Sequence, residues 1–102
     1  MGKFVKAAKK VDIPEGQGKT IYVSGKQVAV FNVDGAYYAI GDSCTHQGAP
    51  LSGGRVAGKA VTCSWHGAKF DITTGEALSR VAFTPVRCYN VRVAEQDIEI
   101  EV

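Results

Sequence analysis

The sequence predicts an all-β fold, an antiparallel sandwich or barrel built as a single domain over residues 1–102. Three observations carry this. The segments between turn signals are short and rich in Val, Ile, Tyr, Phe and Thr. The turn signals recur every eight to twelve residues or so, helped by 12 glycines. No ten-residue window holds a helical period.

The elements follow in order. Asp12–Gly18 (Asp-Ile-Pro-Glu-Gly-Gln-Gly) reads as a loop. Thr20–Val23 reads as a strand, and Ser24-Gly25-Lys26 as a tight turn. Gln27–Val33 and Ala36–Ile40 flank Asp34-Gly35, which predicts a hairpin with a two-residue turn of the primed type. Gly53-Gly54, Ala57-Gly58-Lys59 and Thr73-Thr74-Gly75-Glu76 mark further turns. Lys59–Cys63, Val86–Val93 and Asp97–Val102 complete the predicted strands. In the last, Ile98, Ile100 and Val102 share one face, and Asp97, Glu99 and Glu101 share the other.

Composition excludes several classes. Lys and Arg total 12 against 10 Asp and Glu, a net charge of +2, too small to argue for a nucleic-acid partner. No apolar run approaches the length of a membrane-spanning helix; a clean stretch near the middle is Val28-Ala29-Val30-Phe31. The start, Met1 to Lys10, has four lysines and no apolar segment, so a cytoplasmic protein is expected. Three cysteines do not make a disulfide framework. The lysine-rich start and the acidic end read as solvated strand faces, with docking surfaces as the other reading.

The scarce residues are clustered. Both histidines and two of the three cysteines lie between positions 44 and 66. Cys44-Thr45-His46 is followed by sixteen residues and then Cys63-Ser64-Trp65-His66. Each arm offers one thiolate and one imidazole. Residues i and i+2 of an extended chain point the same way, so Cys44 and His46 reach one site from one loop. Cys63 and His66 need a turn, which Gly67 favours. Three arrangements compete. Buried polar residues with no metal would leave the clustering unexplained. A Cys₂His₂ zinc site usually takes C-x₂₋₄-C and H-x₃₋₅-H pairs, whereas each arm here mixes the two ligand types. A [2Fe–2S] centre with two cysteines on one iron and two histidines on the other suits two mixed arms.

These motifs resemble the Rieske iron–sulfur family. Gly48-Ala49-Pro50-Leu51 after the first arm and Gly67-Ala68-Lys69-Phe70-Asp71 after the second fit as well. So do Asp12-Ile13-Pro14-Glu15-Gly16 near the start and the segment from Pro85 to Val91, so the resemblance covers nearly the whole chain. It implies stacked antiparallel β-sheets with a cluster-binding tip made of two loops. Cys44 and Cys63 would hold the inner iron of a [2Fe–2S] cluster, and His46 and His66 the outer one. Pro85 would sit in a third loop over the cluster, and Trp65 would cover it. Gln47 and Gly48 would belong to the docking rim.

The family spans potentials of about −150 to +300 mV. Its high-potential respiratory members carry a further cysteine pair in the two loops; the matching positions here are Ala49 and Trp65. Those members also have a Ser and a Tyr hydroxyl donating to sulfur; the matching positions here are Ala68 and Phe70. The resemblance therefore implies a low-potential carrier, like the ferredoxins of aromatic-ring oxygenase systems. Such a ferredoxin takes electrons from an NAD(P)H-dependent flavin reductase and gives them to a terminal oxygenase. The alternatives are a small non-catalytic subunit of a reductase, similar to that of nitrite reductase, and a zinc-stabilised interaction module.

The chain is not expected to be an enzyme. A mononuclear two-His, one-carboxylate iron site needs histidines beyond the two already committed. Gly16-Gln17-Gly18 lacks the third glycine of a dinucleotide fingerprint. Cys88 is expected to be a small core residue. Tyr22, Tyr37, Tyr38, Phe83 and Tyr89 are expected in the core or on sheet surfaces.

Overall fold

A computed structural model describes residues 3–42, 51–63, 68–78 and 86–101. These form ten strands: β1 (Phe4–Lys9), β2 (Gly18–Val23), β3 (Lys26–Val33), β4 (Ala36–Gly41), β5 (Arg55–Ala57), β6 (Ala60–Thr62), β7 (Lys69–Asp71), β8 (Cys88–Tyr89), β9 (Val91–Ala94) and β10 (Asp97–Glu101). Short 3₁₀ turns occupy Lys10–Asp12 and Leu51–Gly53. All pairings are antiparallel and make three sheets, ordered β1-β10-β9, β2-β3-β4-β8 and β5-β6-β7. The expected all-β class of stacked antiparallel sheets is what the chain adopts.

The four-stranded sheet lies in the middle because its strand β3 is buried on both faces. Along β3, Val28 and Val30 pack with Ile98 and Ile100 in one core, while Ala29, Phe31 and Val33 pack with Val61, Phe70 and Ile72 in another. The alternation of a strand thus builds two cores from one run of residues. The first core joins the middle sheet to β1-β10-β9, and the second joins it to β5-β6-β7.

The turn at Asp34-Gly35 has φ of 52° and 85°, the paired positive values of a type I′ turn. Ser24-Gly25 repeats it, with φ of 50° and 76°. Gly18 has a different cause. A Cβ there would stand 2.5 Å from the ring of Phe31, which is fully buried. Gly18→Ala is expected to destabilise by about 1–3 kcal/mol through overpacking. The thermal midpoint should fall by roughly 4–8 °C per kcal/mol. An unchanged midpoint would show that Phe31 yields freely.

The lysine-rich start and the acidic end are strand faces, as expected: β1 pairs with β10, setting Lys6 opposite Glu99 and Lys9 opposite Asp97. Lys6 Nζ lies 3.6 Å from Asp97 Oδ1, and Arg92 Nε bonds Glu99 Oε1 at 2.5 Å. The basic start and acidic end face each other, as opposite charges on neighbouring strands should. A bulge between Lys6 and Ala8 breaks the alternation of β1 and hid its bounds. Several other expectations need correcting. The three-residue strands β5 and β7 were also not foreseen, and Lys59–Cys63 shortens to β6. The single strand expected over Val86–Val93 is two. Asn90 separates β8, in the middle sheet, from β9, in the outer one. It anchors that crossing through its carbonyl, which accepts from Glu101 N at 2.9 Å, and its Nδ2, which donates to Glu101 Oε1 at 2.7 Å.

Candidate metal centre

Cys44, His46 and His66 lie outside the described residues, as do Trp65, Gln47, Gly48, Ala49, Phe83 and Pro85. Cys63 is described, and so are the bases of the segments that carry the others.

Each base is closed by backbone hydrogen bonds. Segment 43–50 leaves β4 through Asp42 and returns at Leu51, where Leu51 N donates to Asp42 O at 2.6 Å. Segment 64–67 lies between Cys63 and Ala68, where Cys63 N donates to Ala68 O at 2.6 Å. Segment 79–85 starts after Leu78, whose N donates to Lys69 O at 2.8 Å. It returns at Val86, whose N donates to Gly75 O at 2.9 Å. Gly75 has φ of 82°, and a Cβ there would strike the Val86 carbonyl, so only glycine allows this closure. Leu51, Cys63, Ala68 and Val86 all belong to one core. Residues flanking all three segments therefore share one packed base.

Cys63 is 3% exposed and packed among apolar side chains. A cysteine at the foot of segment 64–67 is a residue type that binds metal as thiolate. Two thiols and two imidazoles form the donor set of a mixed-ligand [2Fe–2S] centre. Ala68 and Phe70, both fully buried in the core that holds Cys63, carry no hydroxyl. Among the described residues no group of three His, Cys, Asp or Glu could hold a metal elsewhere. The residues present fit the cluster.

At the end of β4 lies a polar network that sequence reading missed. Asp42 is 0% exposed. Its carboxylate accepts from Thr20 Oγ1 at 2.7 Å, Gln27 Nε2 at 2.8 Å and Ser52 N at 2.8 Å. Burial opposes its charge, but the bonds from Gln27, the Ser52 amide, Thr20 and the Ser52 hydroxyl together outweigh burial. The carboxyl is held below its usual value of 3.8. The available signal was an aspartate two residues before Cys44, at the end of an apolar strand.

Cys88 is a correction. It is exposed, and its Sγ donates to Thr73 O at 3.2 Å. Its neighbour in β8, Tyr89, takes the core position, because alternate residues of a strand face opposite ways. Partial burial of the thiol and the nearby charge of Asp71 hold the Cys88 thiol above 9.0. Tyr22 is largely exposed, whereas Tyr37 and Tyr38 are half-buried against the two cores.

No helix among the described residues is long and apolar enough to cross a membrane. Comparison with known proteins bears on the site directly. The family model of the Rieske [2Fe–2S] domain matches residues 3–90. The chain is 33% identical to the ferredoxin component of a naphthalene 1,2-dioxygenase system from Pseudomonas aeruginosa, covering 98% of this chain and 96% of that one. It is 41% identical to the ferredoxin subunit of a 3-phenylpropionate/cinnamic acid dioxygenase from Shigella boydii serotype 4 (strain Sb227), over 89% and 86% of the two chains. The fold superposes, with a TM-score of 0.89 and 29% identity, on a chain in the complex of reduced oxygenase and oxidised ferredoxin of carbazole 1,9a-dioxygenase; 96% of this chain and 92% of that one are covered. With the family model matched over residues 3–90 and ferredoxin components similar over nearly the whole chain, the chain belongs to the Rieske [2Fe–2S] family.

Proposed function

We propose that this chain is a one-electron carrier of a multicomponent oxygenase system. It takes electrons from an NAD(P)H-dependent flavin reductase and passes them to a terminal oxygenase. The observation that carries this is end-to-end similarity to ferredoxin components: 98% of the chain aligns with 96% of one of them. On this reading residues 1–102 are one domain given wholly to holding and presenting the cluster, with no catalytic residue. The carrier works in the cytoplasm.

Cys44 and Cys63 hold one iron, and His46 and His66 hold the other. The bound cluster supplies a single reversible electron. The protein's part is placement. The strand residues that flank both arms belong to one core, and Ala68 and Phe70 carry no hydroxyl to donate, which favours a low potential. Partners dock near His46 and His66. Such redox encounters are small, below about 1,200 Å² of buried surface.

Reconstitution tests this. A flavin reductase, NADH and the terminal oxygenase of an aromatic-ring dioxygenase should form product only when this chain is added. The chain should cycle between oxidised and reduced forms without remaining bound to either partner on size exclusion. A stable stoichiometric complex with a nitrite-reductase-type catalytic subunit, and no support of oxygenation, would overturn the reading.

A further inference from the structure

Asp42 is the one fully buried charged residue among the described residues. Both of its carboxylate oxygens act as acceptors. Thr20 Oγ1 and Gln27 Nε2 donate to Oδ2, and Ser52 N donates to Oδ1. The Thr20 and Ser52 hydroxyls also contact each other at 2.5 Å. Every one of these partners is neutral, and among the described residues no Lys or Arg forms an ion pair with Asp42. A charge held in the interior by dipoles alone is not cancelled by a counter-charge, and its field is poorly screened there.

The same bonds have a mechanical consequence. The backbone carbonyl of Asp42 accepts from Leu51 N, and its side chain accepts from Ser52 N. One residue thereby fastens the entry of segment 43–50 to its exit. That segment carries Cys44 and His46. Cys44 follows two residues after Asp42, so covalent geometry keeps their Cα atoms within about 7 Å.

We propose that Asp42 is a positioning residue that clasps the stem of the loop carrying Cys44 and His46, and that its fixed negative charge lowers the midpoint potential of the cluster. This rests on the ligand assignment above. Reduction adds one negative charge to the centre. A neighbouring buried negative charge disfavours the reduced form more than the oxidised one, so the potential falls. A clasp alone would not require a carboxylate, since a neutral acceptor can receive the Ser52 amide.

The decisive variants separate charge from clasp. Asp42→Asn keeps the shape. Its amide oxygen still accepts from Ser52 N, while its NH₂ donates to Thr20 Oγ1 and to the Gln27 amide turned to offer oxygen. The cluster should be retained, and the one-electron equilibrium should move at least tenfold toward reduction, about +59 mV in midpoint potential. Gln27→Lys leaves Asp42 and its clasp in place and sets a cation against the carboxylate. It should shift the potential in the same direction, and it carries the test if Asp42→Asn does not accumulate. Asp42→Ala removes the clasp as well. Its visible absorption should bleach at least tenfold faster than wild type, the scale on which supporting residues affect metal sites. Wild-type potentials in both Asp42→Asn and Gln27→Lys, or bleaching of Asp42→Ala at the wild-type rate, overturn the proposal. A wild-type chain that binds no cluster overturns the ligand assignment itself, and this proposal with it.

Discussion

Replacing His66 by alanine is expected to abolish the rhombic EPR signal of the reduced protein, and His46→Ala should do the same. On the proposed ligand assignment each imidazole would be one of two protein ligands on its iron, and methyl offers no lone pair in its place. An iron left one protein ligand short would be lost or would change its coordination. Losing an outer partner of a metal ligand already costs about 10–100-fold in metal affinity, and losing the ligand itself costs more. Cys88→Ala is the internal control. Its thiol is exposed and donates to Thr73 O at 3.2 Å, so the variant forfeits one neutral hydrogen bond, worth about 0.5–1.5 kcal/mol. Its EPR signal should be unchanged in shape and intensity per chain. A signal that survives in His66→Ala and vanishes in Cys88→Ala would reverse the ligand assignment.

Ala68→Ser and Phe70→Tyr are each expected to raise the midpoint potential. Both side chains are fully buried in the core that contains Cys63, and Cys63 N bonds Ala68 O at 2.6 Å. A hydroxyl placed there meets sulfur or finds no partner. Donation to a charged group is worth roughly 1.5–3 kcal/mol. With about 59 mV per tenfold for a one-electron couple, that is at most roughly 65–130 mV for each substitution, less where the bond stabilises both redox states. A hydroxyl without a partner would instead cost about 1–3 kcal/mol of folding stability and leave the potential alone. Voltammetry and thermal melting together separate the two outcomes. A wild-type potential in both variants, with lowered melting midpoints, would show that neither position faces sulfur. The unsubstituted chain should titrate in the lower part of the family's range of about −150 to +300 mV.

What the sequence disclosed and what it hid follow from the range over which each signal acts. The Asp34-Gly35 turn was legible because its two φ values are set locally, by the residues in the turn. Ile98 and Ile100 were legible because one strand alternates against one core. The bounds of β1 were hidden by a bulge, and the break at Asn90 by a change of sheet, two features decided by neighbours distant in sequence. Cys88 was misplaced because both faces of β8 have some apolar character, and only the pairing with Ile40 and Ala39 decides which face is inward. The two Cys–His arms stand out as a pattern of scarce residues at fixed spacing, and the family they suggested is the one whose model matches residues 3–90. Asp42 was not, because its partners Thr20, Gln27 and Ser52 come from three separate places in the chain.

The most direct test of the central claim is visible absorption and EPR of the purified chain, with iron and acid-labile sulfide measured on the same sample. The expected result is a reddish-brown oxidised protein with two irons and two sulfides per chain. After reduction with dithionite it should give a rhombic signal of low average g. A colourless protein that holds zinc and no sulfide would contradict the account.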